Sequence, residues 1–439
     1  MARTIRKVVV LGANGAMGSG SGAVFAGAGI PTVFLARTRD KAEAGRARAE
    51  KMLKSTAVSA FITTGGYDDL EREVADADLV FEAVAEELAI KREFFGRVDA
   101  VRKADAIVAT VSSGLSIAAM CEGCSDGFRK AFLGIHFFNP PNVIVGCELI
   151  PHAGTAPAVL AEVRALLDGP LGREVIETSD TPAFCGNRVG FKVLNEVAQL
   201  AEEHGPAFID ALIGPHTGRA MAPLATIDFV GWDVHKAIVD NLHAHTADEA
   251  HAAFALPAYM QRLIDAGHLG NKTRDKGGFF RTDGKGKDAV RLVLDPATGS
   301  YRPLADVAVA LPPFVAAMNA AIRVGRYGVA MDAMCEAQGP AAELMRKVIL
   351  GYVSYGLNRV GEVVERARDV DRIMGFGFNW APPSVLVDAI GARRTVALLE
   401  RAGLPVPRVV LEAAERNLHL FDEPEVDRGR FFVASTLAA

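Results

Sequence analysis

The chemistry-bearing residues of this chain begin with His136 and Glu148. His136 sits in Gly134-Ile135-His136-Phe137-Phe138-Asn139-Pro140, and Glu148 follows on the far side of a proline-broken loop. A histidine held by a carboxylate keeps one tautomer and suits proton transfer near neutral pH. The pair also has a plainer reading, a buried structural histidine with Glu148 on a solvated edge. What positions the two side chains is readable as well. The apolar run Ala131 to Ile135 predicts a short buried strand, Asn139-Pro140-Pro141-Asn142 a turn, and Val143 to Ile150 a returning strand. Two strands joined in this way bring His136 and Glu148 together.

The chain opens with an apolar strand, Val8 to Leu11, that runs into Gly12-Ala13-Asn14-Gly15-Ala16-Met17-Gly18 and then a helix from Ser19 to Ala28. Glycines at a strand–helix junction let the backbone approach a pyrophosphate, which sits on the helix N-terminus. The spacing is GxxGxxG rather than GxGxxG, one residue longer at Ala13-Asn14. Further strands are expected at Thr32–Ala36, Leu79–Ala83, Ala106–Val111 and Phe132–Ile135, in alternation with helices, the pattern of a parallel sheet covered on both faces.

After Cys185 the pattern becomes helical, beginning with a helix over Asn187–Glu203. This half repeats itself. Asp210 in Phe208-Ile209-Asp210-Ala211-Leu212-Ile213-Gly214 and Asp228 in Ile227-Asp228-Phe229-Val230-Gly231 recur as Asp371 in Val370-Asp371-Arg372-Ile373-Met374-Gly375 and Asp388 in Val387-Asp388-Ala389-Ile390-Gly391. The helix Ala342–Val364 precedes the second copy, and Arg281 to Pro313 reads as a long connecting segment. Three domains are expected: residues 1–184, 185–300 and 301–439. The fold class is an α/β dinucleotide-binding domain followed by all-α domains in tandem repeat.

A formal net charge of −5 with mixed signs offers no basic surface for nucleic acid. The absence of a long apolar run argues against a membrane span and places the protein in the cytoplasm. Five cysteines, an odd and sparse set, suit a reducing compartment. Cys121-Glu122-Gly123-Cys124 is a lone CxxC, a metal or redox pair or else two ordinary thiols near a helix end. The ordinary reading is preferred, and no metal is expected.

Taken in order, these motifs resemble the L-3-hydroxyacyl-CoA dehydrogenases, beta-oxidation enzymes with a Rossmann domain and a helical C-terminal domain. The resemblance rests on the glycine turn, Phe81-Glu82-Ala83-Val84-Ala85-Glu86, Ser113-Gly114-Leu115-Ser116-Ile117, the His136 segment, Gly186-Asn187-Arg188, Ala222 to Gly231 and Gly270-Asn271-Lys272-Thr273. It implies that His136 is the base for a 3-hydroxyacyl thioester, oriented by Glu148. It implies that Ser113 hydrogen-bonds the reacting oxygen and that Asn187 holds the substrate. The cofactor-binding set it implies is Gly12, Asn14, Gly15, Ala16, Met17, Gly18, Arg37, Thr38, Ala85, Glu86, Lys91 and Ser113, with Glu86 and Lys91 flanking the nicotinamide ribose. The alternative for Lys91 is part of a helix-face ion pair. Acyl-CoA is the implied substrate, and no segment is left over for an enoyl-CoA hydratase module. In single-copy relatives the helical domains pair between subunits, so the chain is expected to be a monomer with an internal pseudo-dimer of helical domains, or a homodimer. A dehydrogenase of a non-CoA hydroxy acid and a catalytically silent relative are the alternatives.

Two departures concern the cofactor. Where NAD-specific domains carry an acid for the ribose 2′-hydroxyl, this chain has Arg37, followed by Thr38 and Arg39. A guanidinium binds a 2′-phosphate that a carboxylate would repel, so Arg37 favours NADP over NAD. The alternative is that Arg37 stacks on adenine and the cofactor is NAD. The second departure is Val111, which stands where many relatives have an asparagine near the nicotinamide.

Overall fold

A computed structural model describes residues 4–434. Its described residues divide into two compact units, one of residues 4–185 with 362–365, the other of residues 186–361 with 366–434. Both helical copies fall in the second unit.

In the first unit the order is β1 (Val8–Leu11), α1 (Ala16–Gly27), β2 (Thr32–Ala36), α2 (Arg39–Leu53), β3 (Ile62–Gly66), α3 (Leu70–Val74), β4 (Leu79–Glu82), α4 (Leu88–Val101), β5 (Ile107–Thr110), α5 (Ile117–Met120), α6 (Asp126–Lys130), β6 (Phe132–Phe137), β7 (Gly146–Ile150), α7 (Pro157–Asp168) and β8 (Glu174–Glu177). The strands form one sheet in the order β3-β2-β1-β4-β5-β6-β7-β8. Neighbours are parallel except β6 and β7, which are antiparallel. The apolar runs of the inner strands are fully buried because helices cover both faces. Val8 and Val10 face one core with Phe25, Phe34 and Phe81, while Val9 and Leu11 face the other with Phe95, Phe128 and Phe132. Strand order reverses at β1, which has β2 on one side and β4 on the other. A crevice at the carboxyl ends of these strands is where an open α/β sheet binds its ligand.

Two strands of this sheet escaped the sequence reading. The edge strand β3, Ile-Thr-Thr-Gly-Gly, carries too few apolar residues to register as a strand. The other, β8, lies at the opposite edge with only its two central residues buried. The returning strand is also shorter than expected: it starts at Gly146, because the Val143 and Ile144 N–H groups bond back to the Pro140 carbonyl and extend the turn.

In the second unit α8 (Gly186–His204) is the central helix, followed by α9 (Pro206–Leu212), α10 (Pro223–Val230), α11 (Trp232–His245) and α12 (Ala258–Asp265). The expected connecting segment instead holds a three-stranded antiparallel sheet of β9 (Phe280–Asp283), β10 (Val290–Leu294) and β11 (Tyr301–Pro303). Its charged exposed positions hid the alternation, although Leu292, Val293 and Leu294 are buried. Then come α13 (Pro313–Arg323), α14 (Tyr327–Glu336), α15 (Pro340–Leu357), α16 (Ala367–Phe376), α17 (Pro383–Ile390), α18 (Ala392–Arg401) and α19 (Arg408–Arg416). The helix expected over Ala342–Val364 is α15, which stops at Leu357.

The repeat is visible in its hydrogen bonds. Asp210 on α9 accepts from the Leu224 and Ala225 N–H groups at the start of α10, and Asp371 on α16 accepts from the Ser384 N–H at the start of α17. Asp228 accepts from the Phe279 and Phe280 N–H groups, and Asp388 from those of Leu420 and Phe421. The residue after each of these second helices is a glycine at positive φ, Gly231 at 99° and Gly391 at 96°. The two copies also bond to each other: Asp248, which accepts from Arg188 of its own copy at 2.8 Å, accepts from Tyr355 at 2.8 Å and Arg359 at 3.0 Å of the second.

Replacing Asp371 with Ala should destabilise the protein by about 1–3 kcal/mol, since it strands the buried Ser384 N–H. Chemical denaturation checks this, and an unchanged midpoint contradicts the capping role.

Candidate active site

The glycine turn has the shape a pyrophosphate cradle needs. Gly12 lies at φ 79°, and a Cβ there would stand 2.2 Å from the Ala83 carbonyl oxygen. At Gly18 a Cβ would stand 2.3 Å from the Gly12 carbonyl oxygen. Neither position admits a side chain, so the turn stays close to the strand ends. The first turn of α1 holds no acidic residue, and Gly15 caps it without a side chain, which leaves the helix N-terminus to Ala16 and Met17. Such an end favours an anion. Asn14 is exposed, its carbonyl fixed by Arg48 at 2.9 Å. Arg37 and Thr38 follow β2 directly and are exposed, and the Thr38 hydroxyl accepts from the Lys41 N–H to cap α2. These residues fit a dinucleotide.

Beyond β4 and β5 lies a second polar cluster. Glu82, the last residue of β4, is fully buried between Leu11 of β1 and Thr110 of β5. Its carboxylate accepts from the Lys91 ammonium at 2.8 and 3.0 Å, the Thr110 hydroxyl at 2.6 Å and the Val84 N–H at 2.6 Å. Lys91, on α4, is itself only 1% exposed and lies 3.2 Å from Glu86 as well. It is thus not part of an exposed helix face. Burial works to lower the Lys91 pKa, but Glu82 and Glu86 outweigh it and raise it. Glu86 follows Ala85 and accepts from the Ser112 hydroxyl at 2.5 Å and the Ser113 N–H at 2.9 Å. Burial works against the charged form of Glu86, but Lys91 and the bonds from Ser112 and Ser113 prevail and lower its pKa. The Ser113 loop is also fixed at its far end, where Asp180 accepts from the Ser116 hydroxyl and the Ile117 and Ala118 N–H groups. Val111 is buried, its N–H donating to the Glu82 carbonyl.

His136 and Glu148 face each other in register across β6 and β7. The imidazole Nδ1 is 2.6 Å from a Glu148 oxygen, and the other Glu148 oxygen accepts from the Cys185 N–H at 2.9 Å. Both side chains are buried, His136 at 4% exposure and Glu148 at 0%. The imidazole packs against the Phe138 ring at 4.9 Å and the Phe184 ring at 5.7 Å. An ionised carboxylate only accepts, so Nδ1 carries the proton and Nε2 keeps its lone pair. This is the arrangement a general base requires.

Asn187 is buried in the first turn of α8 and belongs to the second unit. Glu82, Thr110 and Ser112 are contributors that the sequence reading left out. The signal for Glu82 was present: an acid closing the otherwise apolar strand Leu79-Val80-Phe81 must find a partner when buried. Cys121 is buried after α5, and burial raises the Cys124 thiol to about 11, which disfavours the thiolate that metal or redox chemistry uses. Among the described residues no cluster of three or more His, Cys, Asp or Glu is placed to hold a metal ion, and no helix is long and apolar enough to cross a membrane.

Replacing Glu148 with Gln should reverse the histidine tautomer. Its amide keeps an acceptor for Cys185 and presents an N–H to Nδ1, which moves the imidazole proton to Nε2. Nitrogen-15 NMR of His136 reads this directly, and an unchanged tautomer contradicts the orienting role.

Residues 7–181 match the NAD binding domain of 3-hydroxyacyl-CoA dehydrogenase, and residues 184–279 match its C-terminal domain. A probable 3-hydroxyacyl-CoA dehydrogenase of Bacillus subtilis (strain 168) is 30% identical over 96% of this chain, which spans only 55% of that relative's length. A probable 3-hydroxyacyl-CoA dehydrogenase of Deinococcus radiodurans is 31% identical over 72% of this chain and 93% of its own. The crystal structure of 3-hydroxybutyryl-CoA dehydrogenase from Escherichia coli K12 shares the fold, with a TM-score of 0.69 over 94% of this chain and 99% of that one at 21% identity. With both domains matched in order, the chain belongs to the 3-hydroxyacyl-CoA dehydrogenase family.

Proposed function

We propose that this protein interconverts (S)-3-hydroxyacyl-CoA and 3-oxoacyl-CoA, with His136 as the acid–base group and Glu148 as its orienter. The observation that carries this reading is the 2.6 Å contact of the His136 Nδ1 with Glu148 on adjacent antiparallel strands of a dinucleotide-binding sheet. A bound nicotinamide supplies the hydride acceptor or donor. The chain's own part is proton transfer and positioning. In oxidation the His136 Nε2 takes the 3-hydroxyl proton, and Glu148 stabilises the imidazolium that results. In reduction the same proton returns to the 3-oxygen. Ser113 contributes a hydrogen bond to the reacting oxygen, and Asn187 holds the substrate. Remote contacts to the CoA moiety then keep the reacting carbon in line.

Arg37 supports NADP(H) over NAD(H). It is exposed directly after β2, with Arg39 exposed beside it, and its planar guanidinium suits a 2′-phosphate. The bonds between the helical copies support an internal pairing in place of a subunit contact, with Asp248 and Arg359 as the joint.

Acetoacetyl-CoA reduction by the purified protein, run with NADH and NADPH in parallel, tests both parts. Turnover is expected with NADPH preferred, and Arg37→Asp should move the preference to NADH. His136→Gln should reduce turnover by about 10²–10⁴-fold with cofactor binding retained. Wild-type turnover with NADH alone discards the role given to Arg37 and keeps the enzyme. Absence of turnover with acetoacetyl-CoA and with longer 3-oxoacyl-CoAs overturns the reaction.

A further inference from the structure

The Glu82–Lys91–Glu86 cluster contains two carboxylates and one ammonium, and so carries one surplus negative charge. Its place follows from the topology. The pyrophosphate turn lies after β1, Arg37 lies after β2, and His136 is on β6. In sheet order β4 and β5 separate β1 from β6. A dinucleotide whose adenosine end reaches β2 has its other half over β4 and β5, between the glycine turn and His136. The nicotinamide ring, a cation when oxidised and neutral when reduced, would then lie over the cluster.

We propose that this cluster gives the site a preference for the oxidised cofactor, with Glu86 the group that faces the ring and Glu82 the positioning residue that keeps the surplus charge. The inference rests on the dehydrogenase reading above.

The division of labour follows from burial. Glu86 is the member at the surface, with its side chain 44% exposed, whereas Lys91 and Glu82 are enclosed. Lys91 paired with Glu86 alone would cancel its charge and leave a neutral dipole, which tells a cation from a neutral ring only weakly. Glu82 takes up the ammonium from behind with both oxygens. That leaves the Glu86 charge uncancelled and still anchored. The Ser112 hydroxyl and Ser113 N–H hold the carboxylate in one orientation, so it does not turn away to water. Among the described residues the donors to Glu82 are Lys91, the Thr110 hydroxyl on β5 and the Val84 N–H just after β4, so Glu82 acts on the ring through Lys91 and Glu86.

The test is the affinity of the full-length protein for the oxidised and reduced forms of one cofactor, NAD(H) or NADP(H), by direct titration. Glu86→Gln should weaken the oxidised form about ten-fold and the reduced form by no more than about twofold, because only one form carries the ring charge. Glu86→Asp, which restores the charge, should restore the ratio. Glu82→Gln should lower the ratio in the same direction without touching the ligand. Glu86→Gln decides the matter alone if Glu82→Gln does not fold. Equal weakening of both forms by Glu86→Gln, or an unchanged ratio, overturns the proposal and leaves the dehydrogenase reading standing. A wild-type protein that binds neither NAD(H) nor NADP(H) overturns both.

Discussion

The antiparallel pairing of β6 with β7 is the constraint on which the site depends. The sheet is parallel from β3 through β6, and β5 pairs with β6 only as far as Gly134, so a histidine near the end of β6 would have no strand partner from that side. Reversal at the proline turn brings β7 back alongside and places Glu148 opposite His136. A register slip of one residue would send the two side chains to opposite faces of the sheet. The register is held by apolar flanks buried on both sides, Ile135 opposite Leu149 and Phe137 opposite Cys147. Glu148 then also accepts the Cys185 N–H, which ties the end of the first unit to the same carboxylate.

Burial sets the electrostatics of this sheet edge. His136, Glu148, Glu82 and Lys91 are all enclosed, and an enclosed polar or charged group persists only when hydrogen-bonded. Each is so bonded, and each bond aims a neighbour: Glu148 aims His136, Glu82 aims Lys91, and Lys91 aims Glu86. These polar groups are thereby held by one another in fixed orientations, which is what preorganisation requires.

The parts legible in the sequence are those with local signatures. The glycine turn follows an apolar strand, and His136 and Glu148 flank a proline turn, so both can be read from short segments. The helical repeat was readable from Asp210, Asp228, Asp371 and Asp388, because each acid caps or anchors backbone at a fixed place in its copy. Glu86 and Lys91 were named from the resemblance, but the parts of Glu82 and Thr110 were hidden because they come from separate strands, β4 and β5, and sequence does not report that Lys91 is buried. The edge strands β3 and β8 and the small β9–β10–β11 sheet were hidden for a different reason. Half-exposed strands with glycine or charged residues lose the apolar run by which inner strands are recognised.

The central claim is that His136, oriented by Glu148, meets the reacting oxygen. The measurement that tests it most directly is a crystal structure of the protein with oxidised cofactor and acetoacetyl-CoA. The account predicts the His136 Nε2 within about 3.2 Å of the 3-oxygen, with the Nδ1–Glu148 contact intact. A 3-oxygen held by other groups, with Nε2 bonded to protein instead, would contradict it.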